Sequence, residues 1–98
     1  MLTEGTFVKT KGARDRVGLR RIAAVGEYYN GSKYLIVDHY RWKKVKTNDK
    51  VEWYPERTPY SSQVNFDKVV QVFTFHPNGA LDYAERVKFD DVGNMIKI

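Results

Sequence analysis

Apolar and polar residues in this chain alternate with a period of two, in short runs separated by turn signals. "VVQVFTF" (Val69–Phe75) and "YAERVKF" (Tyr83–Phe89) alternate well, and "KYLIVDHY" (Lys33–Tyr40) is rich in β-branched and aromatic residues. Such side chains are stiff or bulky and pack best on a pleated, half-buried surface. Asn30-Gly31 joins "EYY" to "SKY", and this dipeptide is the strongest short hairpin signal. Thr47-Asn48-Asp49, His76-Pro77-Asn78-Gly79 and Asp90-Asp91-Val92-Gly93-Asn94 punctuate the later runs. Short alternating runs between such turns predict an all-β meander. "FHPNGALDY" and "FDDVGNMIK" share the spacing of Gly after Phe, which reads as two successive C-terminal hairpins with common turn chemistry. Two copies are too few for a repeat array.

Helical alternatives are weak. Phe66, Val69, Val70 and Phe73 fall at i, i+3, i+4, i+7, but the valines favour a strand. "DRVGLRRIAAVGEYY" (Asp15–Tyr29) is interrupted by Gly18 and Gly26. "WYPERTPYSS" (Trp53–Ser62) carries two prolines and reads as a loop. A chain of 98 residues holds one modest core, so residues 1–98 are expected to form a single domain.

The first third has a particular rhythm: Gly5-x-x-Val8, then Gly12, then "RVGLRRI" (Arg16–Ile22), then "KYLIV" (Lys33–Val37). A first strand, a glycine-bearing loop and a long strand turning into another resembles the opening of SH3-like small β-barrels of the KOW and Tudor types. The resemblance covers about forty residues. It implies a small barrel, here extended by the C-terminal hairpins, that binds nucleic acid or protein peptides. Fold alone does not decide between those ligands.

Several chemistries are disfavoured. The chain has no Cys, which excludes disulfides and thiol catalysis, and two His leave little for a metal site. His39 and His76 stand far apart without supporting carboxylates. Ser61-Ser62 have no nucleophile-elbow context, and Asp90-Asp91 beside Gly93-Asn94 read as turn residues. No phosphate-cradling glycine motif occurs. The expectation is a non-catalytic protein without metal or cofactor. No apolar run reaches the roughly 20 residues of a membrane span, and no signal peptide is visible, so a soluble, cytoplasmic protein is expected.

Net charge is +5, about +7 of it in residues 1–50 against about −2 in residues 51–98. This asymmetry points to a basic face turned towards something negative. If Asn30-Gly31 forms a two-residue hairpin, Val25 faces Ile36, Ala24 faces Val37 and Ile22 faces His39. Farther from the turn, Arg21 falls opposite Tyr40, Leu19 opposite Trp42 and Arg20 opposite Arg41. Like charges directly across a ladder repel, and a phosphate between two guanidinium groups relieves that repulsion. Acidic neighbours such as Asp82 or Glu85 would do the same.

In "HYRWKKVK" (His39–Lys46), alternation places Tyr40, Trp42, Lys44 and Lys46 on one side and Arg41, Lys43 and Val45 on the other. Rings interleaved with cations suit nucleic acid, whose bases stack while lysines follow the backbone. The same large rings suit a barrel core. The loop "KTKGARDR" adds Lys9, Lys11, Arg14 and Arg16 to a phosphate-contacting track. The expected nucleic-acid-binding set is therefore Lys9, Lys11, Arg14, Arg16, Arg20, Arg21, Tyr40, Arg41, Trp42, Lys43, Lys44 and Lys46. The competing expectations are a protein-interaction module, such as a small regulator or inhibitor docking an acidic partner surface, and a structural subunit of a larger assembly. Tyr, Trp and Arg favour interface hot spots, and exposed edge strands pair with neighbours.

Overall fold

The computed structural model describes residues 2–97. These described residues form six strands: β1 (Phe7–Thr10), β2 (Leu19–Glu27), β3 (Lys33–Thr47), β4 (Lys50–Asn65), β5 (Val69–Phe75) and β6 (Leu81–Arg86). A single 3-10 turn at Phe66–Lys68 precedes β5. All pairings are antiparallel, and the strands make one sheet in the order β4-β3-β2-β1-β5-β6. The expected all-β fold holds, including the C-terminal hairpins. β5 and β6 form one, and the Phe89–Met95 bridge closes a second about Asp90–Asn94. Asp90 is spent on that turn, where its carboxylate accepts the Val92 and Asn94 N–H groups.

Both faces of the sheet bury apolar groups. On the first, Val8, Ile22, Leu35, Val37 and Val69 are fully or almost fully buried, and Leu2, Phe66, Val87 and Phe89 close over them. Full burial of each aliphatic side chain contributes about 1.5–3 kcal/mol. On the second face, Phe7 lies directly across from Arg21 and from Phe73. Leu19, two residues from Arg21, is wholly buried but stands outside the main cluster. Tyr40 meets Phe7 edge-on at 4.9 Å, and Trp42 meets Phe73 at 5.2 Å. Phe75 completes this aromatic layer, 5.0 Å from Phe7.

The β2–β3 register differs from expectation. Tyr28 N–H bonds to Ser32 O and Gly31 N–H to Tyr28 O, so the loop holds three residues and not two. Gly31 alone takes positive φ, at 92°. A type I turn closed by one left-handed glycine is the next most common hairpin after the two-residue forms. Asn30 is used differently, its side chain accepting the Ser32 N–H. A bulge between Ile22 and Ala24 shifts the ladder again. Ile22 therefore faces Val37, Arg21 faces Asp38, and Arg20 faces His39 instead of Arg41.

A second correction concerns Trp53–Ser62, which is strand and not loop. β4 is a sheet edge, where a proline's missing N–H leaves no ladder bond unmade. Pro55 stands opposite Trp42. Pro59 falls where the β3–β4 register slips between Asp38 and Tyr40, so that β4 carries extra residues opposite His39.

Gly18 is a packing constraint on the loop before β2. Its φ is +66°, and a Cβ there would lie 2.4 Å from the Thr10 carbonyl oxygen. Gly18→Ala is expected to destabilise the fold by about 2 kcal/mol or more, lowering the melting temperature by on the order of 10 °C. Thermal unfolding followed by circular dichroism measures it, and Gly12→Ala, at a position with open space around it, serves as the milder comparison.

Candidate nucleic-acid interface

β3 is 15 residues long and β2 is 9, so β3 continues past the end of its neighbour. The last β2–β3 pair is Arg20–His39. Beyond it β3 and β4 run on as a two-stranded arm, and the molecule reaches 52 Å along its longest axis. Where β2 stops, the loop of residues 11–18 and the slipped part of β4 face each other across a cleft of about 780 Å³. This volume is typical of single-ligand sites.

One wall is loop, with Lys11, Arg14 and Asp15. The floor is Arg20, His39 and Ser62, and the far wall holds Tyr40, Arg41, Thr58 and Tyr60. Arg57 organises the far wall. Its guanidinium donates to Tyr60 O at 2.8 Å, to Thr58 O and to the Asp38 carboxylate at 3.0 Å. The Thr58 hydroxyl donates to His39 O at 2.9 Å. These bonds hold the extra residues of β4 in one shape and leave Tyr60 66% exposed at the rim.

Arg20 lies at the base, 4% exposed, in a strand where its neighbours on the same face are Val8 and His39. Asp15 accepts from Nη1 at 2.9 Å and from Nη2 at 3.4 Å, while Leu19 O accepts from Nη1 at 3.0 Å. Nε is buried and has no partner among the described residues. The Asp15 carboxylate also accepts the Gly18 N–H at 3.0 Å, which closes the loop on itself. Partial burial would raise the Asp15 pKa, but the Arg20 and Gly18 hydrogen bonds outweigh it and hold the carboxyl below its ordinary 3.8. His39 sits below its ordinary 6.5 because burial and then the Arg20 charge oppose protonation, with Arg57 adding to them and Asp15 and Asp38 pulling the other way. The ring is 2.7 Å from the Ser62 hydroxyl.

Of the twelve residues expected at the interface, Lys11, Arg14, Arg20, Tyr40 and Arg41 share this cleft. Arg41 and Lys43 follow His39 at every second position of β3, so a basic line leaves the cleft along the arm. Glu56 tempers it, accepting from Arg41 Nε at 2.7 Å and lying 4.0 Å from the Lys43 ammonium. The remaining members scatter. Arg21 points to the opposite face from Arg20, beside Phe7. Lys44 lies over the Trp53 ring at 5.8 Å, Lys46 is exposed farther along the arm, and Arg16 is exposed at φ 64°. Lys9 lines a different groove, which it shares with Lys11, Arg86 and Lys88 and with Asp67, Asp90 and Asp91. Tyr40 and Trp42 are half-buried in the aromatic layer, so they support the arm more than they offer a bare stacking surface.

His39, Thr58, Tyr60 and Ser62 belong to the cleft although they were not in the expected set. For Tyr60 the signal was present, a ring among prolines and polar residues, but the stretch read as a loop of its own. Asp15 was legible as a turn former, with Gly18 three residues on. Among the described residues there is no cluster of metal-ligating side chains, and no helix is long and apolar enough to cross a membrane. No known protein family, curated protein or solved structure gives a significant match to the chain.

The lowered His39 pKa has a sign. Below about pH 6.5 the unfolded chain takes up a proton at this position that the folded chain resists. This contribution to stability is therefore complete above pH 6.5 and declines as pH falls through that value. Urea unfolding at pH 7.5 and pH 5.5 should show the loss, and His39→Gln should flatten it, because carboxylates titrate mainly lower.

Proposed function

We propose that the chain is a non-catalytic nucleic-acid-binding module that holds its ligand chiefly through phosphate contacts. The observation that carries this reading is the convergence of Lys11, Arg14, Arg20 and Arg41 on one cleft whose rim bears the exposed Tyr60 ring. Lys11 and Arg14 have no acidic partner among the described residues, so they are the cations most open to phosphate. Phosphate contacts position a nucleic acid without reading it, and an accessible ring adds stacking of about 1–3 kcal/mol per base. The SH3-like resemblance belongs to the same proposal. It is supported by the placement of its three parts, since the first strand is β1, the glycine-bearing loop walls the cleft, and the long strand turning into another is the β2–β3 pair. A cytoplasmic location goes with that reading.

A second reading, a protein-interaction module, is favoured by Tyr60 and Trp53, which are exposed on the edge strand β4. An acidic partner would meet the same cations. A pull-down treated with nuclease separates the two: partners lost with the nucleic acid support the first reading, and a protein partner that persists supports the second.

Fluorescence anisotropy with labelled oligonucleotides tests the leading proposal. Affinity should fall steeply with salt, because neutralised phosphates release counterions. Lys11→Ala with Arg14→Ala should weaken binding and reduce the slope of log affinity against log salt by about 0.7 per lost contact on a single strand. Arg41→Ala should have a smaller effect, since Glu56 already compensates that charge. Absence of binding at low salt would refute the proposal.

A further inference from the structure

Arg20 is difficult to explain as a fold element. A guanidinium offers five N–H donors and retains its charge at any pH the protein meets. Here it stands on the core face of β2, where the flanking same-face residue is Ile22. Its carboxylate partner comes from a loop five residues away, and that carboxylate is 41% exposed. The ion pair thus has one buried member and one wet member. Breaking a buried pair strands a charge at considerable cost, while an apolar side chain in the same place carries no such liability. Nε remains buried without an acceptor among the described residues. The group is therefore under-supplied with acceptors at the base of an open cleft.

Asp15 has the form of a ligand. Its two oxygens engage Nη1 and Nη2, the fork geometry in which arginine also takes phosphate. The loop that carries it is closed by few bonds. Besides Asp15 with Gly18, the Thr10 N–H bonds to Gly18 O across its base, the Arg16 N–H to Ala13 O and the Lys11 N–H to Lys68 O. Arg16 has a left-handed backbone, which a residue with a side chain adopts at some energetic cost. Outward movement of the loop would expose Arg20 and keep Lys11 and Arg14 at the cleft mouth.

We propose that Asp15 occupies a phosphate subsite at Arg20, and that a backbone phosphate of a single-stranded nucleic acid displaces it. This rests on the nucleic-acid reading above and specifies its ligand. Single-stranded nucleic acid follows from depth and size. Arg20 is almost wholly enclosed, and the cleft of about 780 Å³ suits a nucleotide or two and not the full width of a duplex. A neighbouring base would then meet Tyr60 at the rim. Displacement makes the site selective for ligands that outcompete a carboxylate, so the phosphates of one strand exchange for the protein's own anion.

The test uses the full chain, a labelled oligothymidylate, the corresponding duplex and polyglutamate. Asp15→Asn keeps the shape and the Gly18 cap but removes the competing charge. It is expected to bind the single strand about threefold or more tightly, with the salt slope unchanged, because the same phosphates are neutralised in both proteins. Glu27→Gln removes one charge at the exposed end of β2, away from the cleft, and should bind as wild type. In the wild-type protein, the Gly18 amide resonance should move at saturation, because it loses its Asp15 acceptor. This second measurement stands even if Asp15→Asn folds poorly. Binding of the strand with Gly18 unmoved, or with Asp15→Asn equal to wild type, overturns the displacement and leaves the nucleic-acid reading in place. No oligonucleotide binding by either protein overturns both. Equal gain of Asp15→Asn on duplex overturns the choice of single strand, and a gain on polyglutamate alone gives the subsite to an acidic protein.

Discussion

β1 is four residues long and stands in the middle of the sheet, bonded to β2 on one side and β5 on the other. The rest of the molecule depends on that double ladder. Val8, near its centre, is wholly buried and lies across from both Arg20 and Val72. The pairing joins the N-terminal meander to the C-terminal hairpin and closes the core beneath Phe66 and Phe89. It also brings Phe7 against Phe73, which begins the second apolar layer. Because β5 lies about sixty residues beyond β1 in the chain, their pairing is non-local, and formation of this ladder must overcome substantial loop entropy.

Unequal strand lengths turn that sheet into a site. β2 begins only at Leu19 while its antiparallel neighbour β3 continues to Thr47, so β3 loses that neighbour on one side partway along. The open flank is filled on one face by the aromatic layer, in which Tyr40 and Trp42 reach across to Phe7 and Phe73. On the other face it remains a cleft, walled by the loop that precedes β2. The slip in β4 bends the opposite wall, and Arg57 fixes the bend through backbone carbonyls. The charged and polar side chains of the cleft therefore gather where regular pairing stops, with rigid strands beneath them.

Charge follows the same geometry. Arg20 and Arg21 are adjacent in sequence and point to opposite faces, so one joins the cleft and the other the aromatic side. Local acids answer several cations: Asp15 meets Arg20, Asp38 meets Arg57, and Glu56 meets Arg41. The exposed pairs contribute little to stability and mainly set direction and net field. What stays positive is a narrower patch than the count of +7 in the first fifty residues implies, centred on Lys11 and Arg14 and continued by the arm.

The sequence by itself determined that the chain is β, where its turns fall, and that its basic residues concentrate in the first half. Period-two alternation and Gly/Asn punctuation are local properties, so they are legible without a fold. Register was not. Gly31 and Asn30 allow two- and three-residue turns alike, and the three-residue turn and the bulge at Ala23 each shift the ladder by one, which together move His39 into the place expected for Arg41. Nor did the prolines at 55 and 59 reveal a strand, because only the sheet order shows that β4 is an edge where their missing N–H groups are harmless. Which cations meet, and which meet a carboxylate first, was decided by tertiary structure, since a shift of one residue in an antiparallel ladder changes every partner across it.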